Sequence, residues 1–305
     1  MTRRLRLAAV PEQVNIPLLL CLEHGIFARY GLDVEHRVVP EGTGKMLDLL
    51  EAGEVDVALT VTDGFIAGRA GGGRKVRLVG TFVESPLVWA VACSGRCEGA
   101  ASLTSLSDLS PSVLGRASRF GISRLGSGSH TMGIYSGKNG LLGGADATPE
   151  FVVAQNFQGL RDGTHRGDFD VFMWETFTTK PFFDNGELRK VGDVPTPWPA
   201  FSFVCPTAWP AGSELDDSVL RDCLFPALRD GVAAFLSSKE AAVDRICADH
   251  GHKRQDAEDW LSACKYACDG EQPFAINPDV SARAVACLQQ VGLVPPGFTP
   301  DDLLV

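Results

Sequence analysis

The chain has 305 residues, of which 45% are hydrophobic and 22% are charged, and its formal net charge is -10. This composition predicts an ordinary globular protein with enough length for two compact lobes. The negative charge argues against nucleic-acid binding and against binding to an anionic membrane surface. The longest apolar run, over residues 16–22, contains Pro17 and is too short to span a bilayer.

The N-terminal residues and the cysteines together predict a cytosolic location. Residues 1–6 resemble the charged start of a secretion signal, but prolines and polar residues interrupt the apolar run that follows, and no cleavage pattern is present. We therefore expect no secretory signal. The nine cysteines are an odd number scattered along the chain, which favours reduced core thiols over a disulfide framework.

The first third of the chain alternates strand-like and helix-like segments, which predicts an α/β fold. We predict strands over 5–10, 34–39 and 55–60 and helices over 16–30, 42–50 and 63–69. Each strand ends in a polar or glycine turn that opens a helix. Because parallel sheets bind ligands outside the carboxyl ends of their strands, these turns are candidate binding elements. Their candidate ligand-binding residues are Glu12, Gly42, Thr43, Gly44, Thr62 and Asp63.

The middle of the chain predicts a second α/β unit. Strand-like segments cover 76–83 and 87–92, and a weakly patterned surface excursion covers 94–118. Further strands are predicted over 120–123, 151–154 and 169–174, with a helix from Ser129. The run Pro195-Thr-Pro-Trp-Pro199 is expected to break the pattern before a return strand over 201–204.

A glycine-serine turn, Gly126-Ser-Gly-Ser129, joins a strand to a helix in this second unit. Its glycines allow a tight turn, and its hydroxyls lie beside the free N–H groups of the first helical turn, where the helix dipole favours negative charge. This predicts a site for a small anionic group, with Ser127, Gly128 and Ser129 as ligand-binding residues; a tight connection without a ligand is the alternative. The turn does not match a dinucleotide-binding fingerprint.

Four further residues are candidate ligand contacts: Trp89, Trp174, Glu175 and Trp198. Glu175 follows an apolar strand and would face the crevice, whereas in the alternative reading Trp174 packs and Glu175 is solvated. Trp89 and Trp198 flank the suspected hinges and could instead seal a lobe interface.

The carboxylates at the predicted edge bear on the charge of the ligand. Glu12 and Asp63 would favour a ligand with a cationic or amine part over a bare oxyanion, although Asp63 could equally cap its helix. Arg124 and Lys180 could balance these carboxylates or lie on the surface.

The C-terminal third is predicted to be helical over 219–235, 240–249, 255–267 and 280–291. Cys247, His250, His252, Cys264 and Cys268 include zinc-ligand types, but their spacing matches no standard finger, so we predict no metal, no cofactor and no catalytic residue. We predict a lobe I formed by residues 1–92 and 200–305 and a lobe II formed by residues 93–199. Two crossovers, near 88–92 and 198–204, would let the lobes close.

Several blocks of sequence, in order, resemble a known group of proteins. They are Pro11-Glu12, Pro40–Gly44, Glu54–Asp56, Ser85–Trp89, Ser123–Ser129, Asn156-Phe157, Leu160–Asp162, Phe172–Thr178 and Thr196–Trp198. The chain is similar to the type 2 periplasmic-binding-protein superfamily, in the branch that contains nitrate, sulfonate and taurine importer subunits and the fungal thiamine-pyrimidine synthases. It is most similar to a fungal, stand-alone group without a secretion signal, whose ligand is not established. The resemblance implies a two-lobed α/β fold with two hinge crossovers and a ligand in the inter-lobe cleft, and it adds Asn156 to the candidate contacts.

The chain departs from the pyrimidine-synthase branch where that branch carries its reactive residues. Where the branch has a lysine and, four residues later, a histidine, this chain has Thr60 and Gly64. The second lobe also offers Phe172-Met-Trp174 without the cysteine-rich cluster. A threonine cannot form a Schiff base and a glycine has no imidazole, so the same chemistry is disfavoured.

The leading hypothesis is a cytosolic small-molecule-binding protein for a polar metabolite, anionic or heterocyclic, held in a cleft that closes around it. The alternative is an enzyme related to thiamine-pyrimidine (hydroxymethylpyrimidine phosphate) synthesis. A third hypothesis is a partner-binding module that has kept the fold without a ligand. The sequence leaves the oligomeric state open.

Overall fold

The computed structural model describes residues 2–144 and 147–305. The chain divides into two compact units: unit 1 comprises Met1–Ser85, Trp198–Val285 and Pro295–Val305, and unit 2 comprises Pro86–Pro197 and Ala286–Val294. The predicted boundaries differ from this division by a few residues at each crossover and in the assignment of residues 286–294. The division into lobe I (residues 1–92 and 200–305) and lobe II (residues 93–199) stays a prediction.

Unit 1 begins as a run of alternating strands and helices. Its first elements are β1 (Arg3–Ala9), α1 (Ile16–Glu23), α2 (Ile26–Arg29), β2 (Leu32–Val38), α3 (Thr43–Glu51), β3 (Val57–Val61), α4 (Thr62–Gly72) and β4 (Val76–Ser94). The strands of unit 1 lie in the order β2-β1-β3-β8, with β1 parallel to both β2 and β3. The predicted α/β alternation is therefore confirmed in this part of the chain.

Unit 2 repeats the pattern. Its elements are α5 (Pro111–Leu114), β5 (Arg119–Ile122), α6 (Gly128–Lys138), β6 (Glu150–Val153), α7 (Phe157–Arg166), β7 (Val171–Glu175), α8 (Thr176–Asp184) and β8 (Leu188–Pro206). The strands lie in the order β4-β7-β5-β6, in which β5 is parallel to β6 and β7, and β7 is antiparallel to β4. The 19-residue strands β4 and β8 each run from one unit into the other.

The C-terminal third is helical, as predicted. It contains α9 (Asp217–Val219), a π-helical turn (Leu220–Leu224), α10 (Phe225–Leu236), α11 (Lys239–His250), α12 (Arg254–Ala263) and α13 (Pro278–Gln290). Short 3-10 turns cover Gln13–Asn15, Glu98–Ala100, Leu106–Leu109 and Pro300–Leu303.

Two predictions about local structure were wrong. The helix expected over 16–30 is two helices, because Gly25 adopts a left-handed conformation (φ 61°) that an α-helix does not continue through. The prolines at 195, 197 and 199 do not interrupt the strand, since β8 continues through all three. Alternate residues of a strand direct their N–H groups to the same side, so prolines two apart remove donors from one edge only.

Each unit has its own apolar core. In unit 1, Phe82, Phe203, Phe225 and Phe274 form an aromatic cluster with ring centroids 5.0–5.8 Å apart. In unit 2 the core includes Ala92, Leu160, Phe169, Phe172 and Leu188. The rigid cores hold the strand ends, and with them the candidate site residues, in defined positions.

All nine cysteines are free thiols. Within residues 2–144 and 147–305, no helix combines the length and the apolar character needed to cross a bilayer. The same residues contain no group of three metal-ligating side chains close enough to hold an ion. His250 and His252 have ring centroids 6.3 Å apart, and burial lowers the pKa of both imidazoles.

Candidate functional site

A group of buried polar side chains lies at the carboxyl ends of the parallel strands of unit 1. The turn after β1, the start of α3 after β2 and the start of α4 after β3 all lie at this edge, because the three strands run in parallel. We call this group the unit 1 strand-end cluster; it comprises Asn15, Thr43, Thr62, Asp63, Trp198 and Ser202, each at most 7% exposed.

Hydrogen bonds join three segments of the chain in this cluster. The Thr43 hydroxyl, on the first residue of α3, accepts the Val61 N–H at 3.2 Å and so ties α3 to the end of β3. The Thr62 and Ser202 hydroxyl oxygens lie 2.8 Å apart, which links α4 to β8 across 140 residues. These contacts hold the start of α3 and the start of α4 at one edge of the unit 1 sheet.

Asp63 is the most unusual member of the cluster. It is the second residue of α4 and only 2% exposed. Burial raises the pKa of its carboxyl group to about 6, although its own N–H, the Gly64 N–H and the Trp198 indole act in the opposite direction. Its Oδ2 atom is buried and has no hydrogen-bond partner among the described residues. The N-terminus of α4 thus compensates only part of the cost of burying this acid.

Asn15 belongs to the cluster but was not among the predicted site residues. Its Nδ2 donates to the Val10 carbonyl at 2.7 Å. Because only the NH₂ group of the amide can donate, this hydrogen bond sets the orientation of the side-chain amide. Its Oδ1 is buried and, among the described residues, has no partner. Asn15 is a polar residue at the first strand-to-helix turn, which is the one feature of the sequence that indicates a site there. Glu12 has the same feature, so the sequence did not distinguish Asn15 from Glu12.

The other unit 1 candidates lie on the same turns and are less buried. Glu12 is half-buried at the start of the 3-10 turn Gln13–Asn15, and its side chain does not cap that turn. Gly42 is the N-cap of α3, and its N–H donates to the Val39 carbonyl at 3.2 Å. Gly44 lies in the first turn of α3 and is half-buried. All three residues lie on the turns at the carboxyl ends of the parallel strands of unit 1, where the sequence analysis expects them.

A second polar group lies at the carboxyl ends of the parallel strands of unit 2. The turns after β5, β6 and β7 begin helices α6, α7 and α8 at one edge of the sheet. We call this group the unit 2 strand-end cluster; it comprises Trp89, Ser127, Gly128, Ser129, Asn156, Trp174 and Glu175.

The glycine-serine turn is the helix opening that the sequence predicts. Gly126 has a φ of 74°, with open space where a side chain would project, and Ser127 is the N-cap of α6. The Ser127 hydroxyl accepts the His130 N–H at 3.3 Å and lies 3.0 Å from the Ser129 hydroxyl, which accepts the Ser123 N–H at 3.4 Å. Both serines are buried and are paired with each other and with their own turn.

Asn156 and Glu175 are also paired with the helices that they begin. The Asn156 side chain is exposed and accepts the Gly159 N–H at 2.9 Å as the N-cap of α7. The Glu175 carboxylate accepts the Phe177 N–H at 3.0 Å and the Thr178 N–H at 2.7 Å as the N-cap of α8. Burial raises the pKa of Glu175, and these hydrogen bonds act against that rise. Both side chains are therefore helix caps.

The tryptophans of unit 2 have different surroundings. Trp174 stacks on Phe157, with ring centroids 5.1 Å apart and planes at 30°, and packs against the unit 2 core. Trp89 is opposite Glu175 in the antiparallel β4–β7 ladder, so their side chains lie on the same face. The Trp89 indole is 8% exposed, and its N–H has no partner in the described residues.

The positions that distinguish the pyrimidine-synthase branch are closely packed. Thr60 is fully buried within β3. A Cβ atom at Gly64 would lie 3.1 Å from the Val61 side chain and 3.2 Å from that of Thr43. An imidazole at position 64 would therefore displace a residue of the unit 1 strand-end cluster.

Comparison with known proteins shows which families and structures this chain is similar to. A family model described as Ca3427-like PBP matches residues 89–194, and one described as NMT1-like matches residues 1–107. A search of curated proteins finds no significant match. Among solved structures, the CA3427 gene product of Candida albicans, described as defining a new family with the generic periplasmic binding protein fold, is 25% identical. That match has a TM-score of 0.78 and covers 98% of this chain and 93% of the other.

Two more distant structures share the fold. The periplasmic aliphatic sulphonate binding protein SsuA of Escherichia coli is 15% identical, with a TM-score of 0.72 over 100% of this chain and 92% of the other. The periplasmic nitrate-binding protein NrtA of Synechocystis PCC 6803 is 13% identical, with a TM-score of 0.67 over 99% of this chain and 84% of the other. The strand order, the family models and these structures agree on the periplasmic-binding-protein fold, and the chain is similar to Ca3427-like proteins with that fold.

Proposed function

We propose that this chain is a binding protein for a small polar molecule, and that the unit 1 strand-end cluster contacts this molecule. The observation that carries the proposal is the unit 1 strand-end cluster, in which buried polar side chains from distant parts of the sequence lie on neighbouring turns, and hydrogen bonds tie α3 to β3 and α4 to β8. Burying polar groups costs free energy unless hydrogen bonds compensate it, so such a group is retained where it contributes to function.

The chemistry of the cluster supports binding rather than turnover. It supplies hydroxyl, amide and carboxyl oxygens, which can orient a ligand through hydrogen bonds. Thr60 and Gly64 supply neither an amine nor an imidazole, so we do not propose the enzyme related to thiamine-pyrimidine synthesis. SsuA is an aliphatic sulphonate binding protein, and NrtA is a nitrate-binding protein. This chain shares their fold, and we propose that it shares the class of function.

The test uses a variant pair that removes polar groups from the cluster. The full-length protein is analysed by native mass spectrometry after purification, and its thermal unfolding is followed in the presence of a broad panel of polar metabolites. We expect at least one compound to raise the midpoint in a saturable way. The double variant Thr62→Val, Ser202→Ala removes both hydroxyls of one hydrogen bond, and we expect it to weaken that effect.

The control removes the same chemical group elsewhere. Ser237→Ala deletes an exposed hydroxyl after α10 and should leave the ligand effect unchanged. No copurified mass together with no stabilising compound would refute the proposal, as would stabilisation that the double variant does not change. The cytosolic location, the hinge closure and the absence of nucleic-acid partners stay predictions.

A further inference from the structure

Two buried oxygen atoms of the unit 1 strand-end cluster have no hydrogen-bond partner among the described residues. They are Asp63 Oδ2 and Asn15 Oδ1, and both residues are 2% exposed. Asn15 follows β1 and Asp63 follows β3, and these strands are hydrogen-bonded neighbours in parallel register. The two atoms therefore lie on adjacent turns at the same edge of the unit 1 sheet.

Both unpaired atoms are acceptors. The Asn15 amide is oriented by its NH₂ group, which donates to the Val10 carbonyl, so the atom left over is the carbonyl oxygen. The Asp63 carboxylate carries no donor when it is ionised. An oxyanion ligand, such as a sulfonate or nitrate, also presents only acceptors and would meet two unpaired acceptors and a negative charge.

We infer that Asn15 Oδ1 and Asp63 Oδ2 recognise a hydrogen-bond-donating nitrogen group, so that the ligand is an amidine or an aminated heterocycle rather than a bare oxyanion. This inference rests on the proposed function and names the ligand class. An N–H group, and above all a cationic one, supplies the donors that both oxygens lack and compensates the buried charge of Asp63.

Access to the two oxygens requires a local movement, because both atoms are sealed from solvent. The Trp198 indole interacts with the Asp63 carboxyl group and acts to lower its pKa. Trp198 is also the first residue of β8 that belongs to unit 1. Displacement of this indole would open the carboxylate and present an aromatic face to a flat cationic ligand, which is a favourable arrangement.

The test uses probes of matched shape and different hydrogen-bonding character. Benzamidine offers cationic N–H donors, benzamide offers a neutral donor, and benzenesulfonate offers oxyanion acceptors on the same ring. Affinity for the full-length protein is measured by titration calorimetry and by thermal shift. We expect benzamidine to bind saturably, benzamide to bind more weakly and benzenesulfonate not to bind.

Variants connect the binding to the two oxygens. Asp63→Asn replaces one acceptor oxygen by a donor, and we expect it to weaken benzamidine binding about tenfold or more, as for the loss of a charge-assisted hydrogen bond. Asn15→Leu should weaken it too. The matched control is Asp48→Asn, which removes an exposed carboxylate on α3 of unit 1 and should leave benzamidine affinity unchanged.

The pH profile separates recognition from a structural effect. The pKa of Asp63 is about 6, so benzamidine affinity should fall as the pH is lowered through 6, and Asp63→Asn should abolish that dependence. The groups that act on the Asp63 carboxyl are its own N–H, the Gly64 N–H and the Trp198 indole, and no charged side chain is among them. A variant that merely perturbs the fold would not remove a titration step.

Binding of benzenesulfonate, or binding of none of the probes, would overturn this inference. The proposed function would still stand in either case if a compound of the metabolite panel stabilised the protein and Thr62→Val, Ser202→Ala reduced its effect. Benzamidine binding that Asp63→Asn leaves unchanged would likewise overturn the inference, because the donor would then be recognised elsewhere.

Discussion

The two strand-end clusters use similar polar residues in different ways. In unit 2, the side chains of Ser127, Asn156 and Glu175 are each paired with backbone N–H groups of the helices that they begin. In unit 1, Asp63 also lies in the first turn of a helix, yet one of its oxygens has no hydrogen-bond partner in the part of the chain that the structure describes, and the same holds for one oxygen of Asn15. A polar residue at a strand-to-helix turn is thus a cap in one unit and an unsatisfied acceptor in the other.

The difference follows from position within the first helical turn and from burial. An N-cap residue has an extended backbone from which its side chain reaches the N–H groups two or three residues ahead. Asp63 is already helical, at the second position of α4, and its carboxyl group interacts with the indole of Trp198 on β8. Its carboxyl group is therefore desolvated without a full set of donors.

The buried Asp63 of unit 1 and the half-buried Asp170 of unit 2 show the same contrast. Burial raises the pKa of Asp63, and among the described residues no ion pair offsets this rise. Burial also acts on Asp170 in unit 2, but hydrogen bonds from the Arg116 guanidinium and the Arg119 N–H outweigh it and lower the pKa of that carboxyl. One aspartate opposes folding at neutral pH, and the other supports it.

The largest expected effect is that of Asp63→Asn on stability. In the wild type, folding raises the pKa of the Asp63 carboxyl group from the ordinary 3.8 to about 6, so the folded state favours the protonated form. The stability that protonated Asp63 contributes is fully present below pH 3.8 and is lost as the pH rises through 6. Above pH 6 we therefore expect the variant to be more stable than the wild type, by roughly 3 kcal/mol at most.

Urea unfolding at pH 4 and pH 8 measures this difference. The advantage of Asp63→Asn should be present at pH 8 and nearly absent at pH 4. Asp170→Asn is the control from unit 2 and should destabilise the protein at pH 8 by about 1–3 kcal/mol, because it breaks a hydrogen-bonded ion pair. Equal effects of the two substitutions would remove the contrast between the units.

The next effect sharpens the comparison inside unit 1, where the Thr62–Ser202 hydrogen bond is fully buried. Ser202→Ala leaves the Thr62 hydroxyl unpaired and should lower the free energy of unfolding by about 1–2 kcal/mol. Adding Thr62→Val removes the unpaired group and should recover most of that loss. A double-mutant cycle by chemical unfolding checks this, and additive losses would show that the two hydroxyls are not coupled.

The smallest expected effect concerns the helix caps of unit 2. Glu175→Ala removes the acceptor for the Phe177 and Thr178 N–H groups and should cost about 1 kcal/mol. Glu175→Ser supplies a good N-cap residue and should restore most of the stability in thermal unfolding. If Glu175→Ser were as unstable as Glu175→Ala, the carboxylate would matter for a reason other than capping.

The sequence by itself determined the α/β alternation and the three helix-opening turns of unit 1, because hydrophobic periodicity and turn residues act over a few neighbouring positions. It also predicted the glycine-serine helix opening, since Ser127 pairs with His130, three residues away. Contacts of this range are encoded in one short segment.

Only the tertiary structure decided which polar groups are satisfied. Ser202 pairs with Thr62 across 140 residues, and the Trp198 indole meets Asp63 from a strand that the prolines were expected to interrupt. In the sequence, Asn15 and Glu12 are both polar residues of the turn after the first strand. The folded structure buries the amide oxygen of Asn15 without a partner among the described residues and leaves Glu12 half-buried. Desolvation and long-range pairing depend on segments that meet only when the chain has folded, so the turns could be predicted while the state of Asp63 could not.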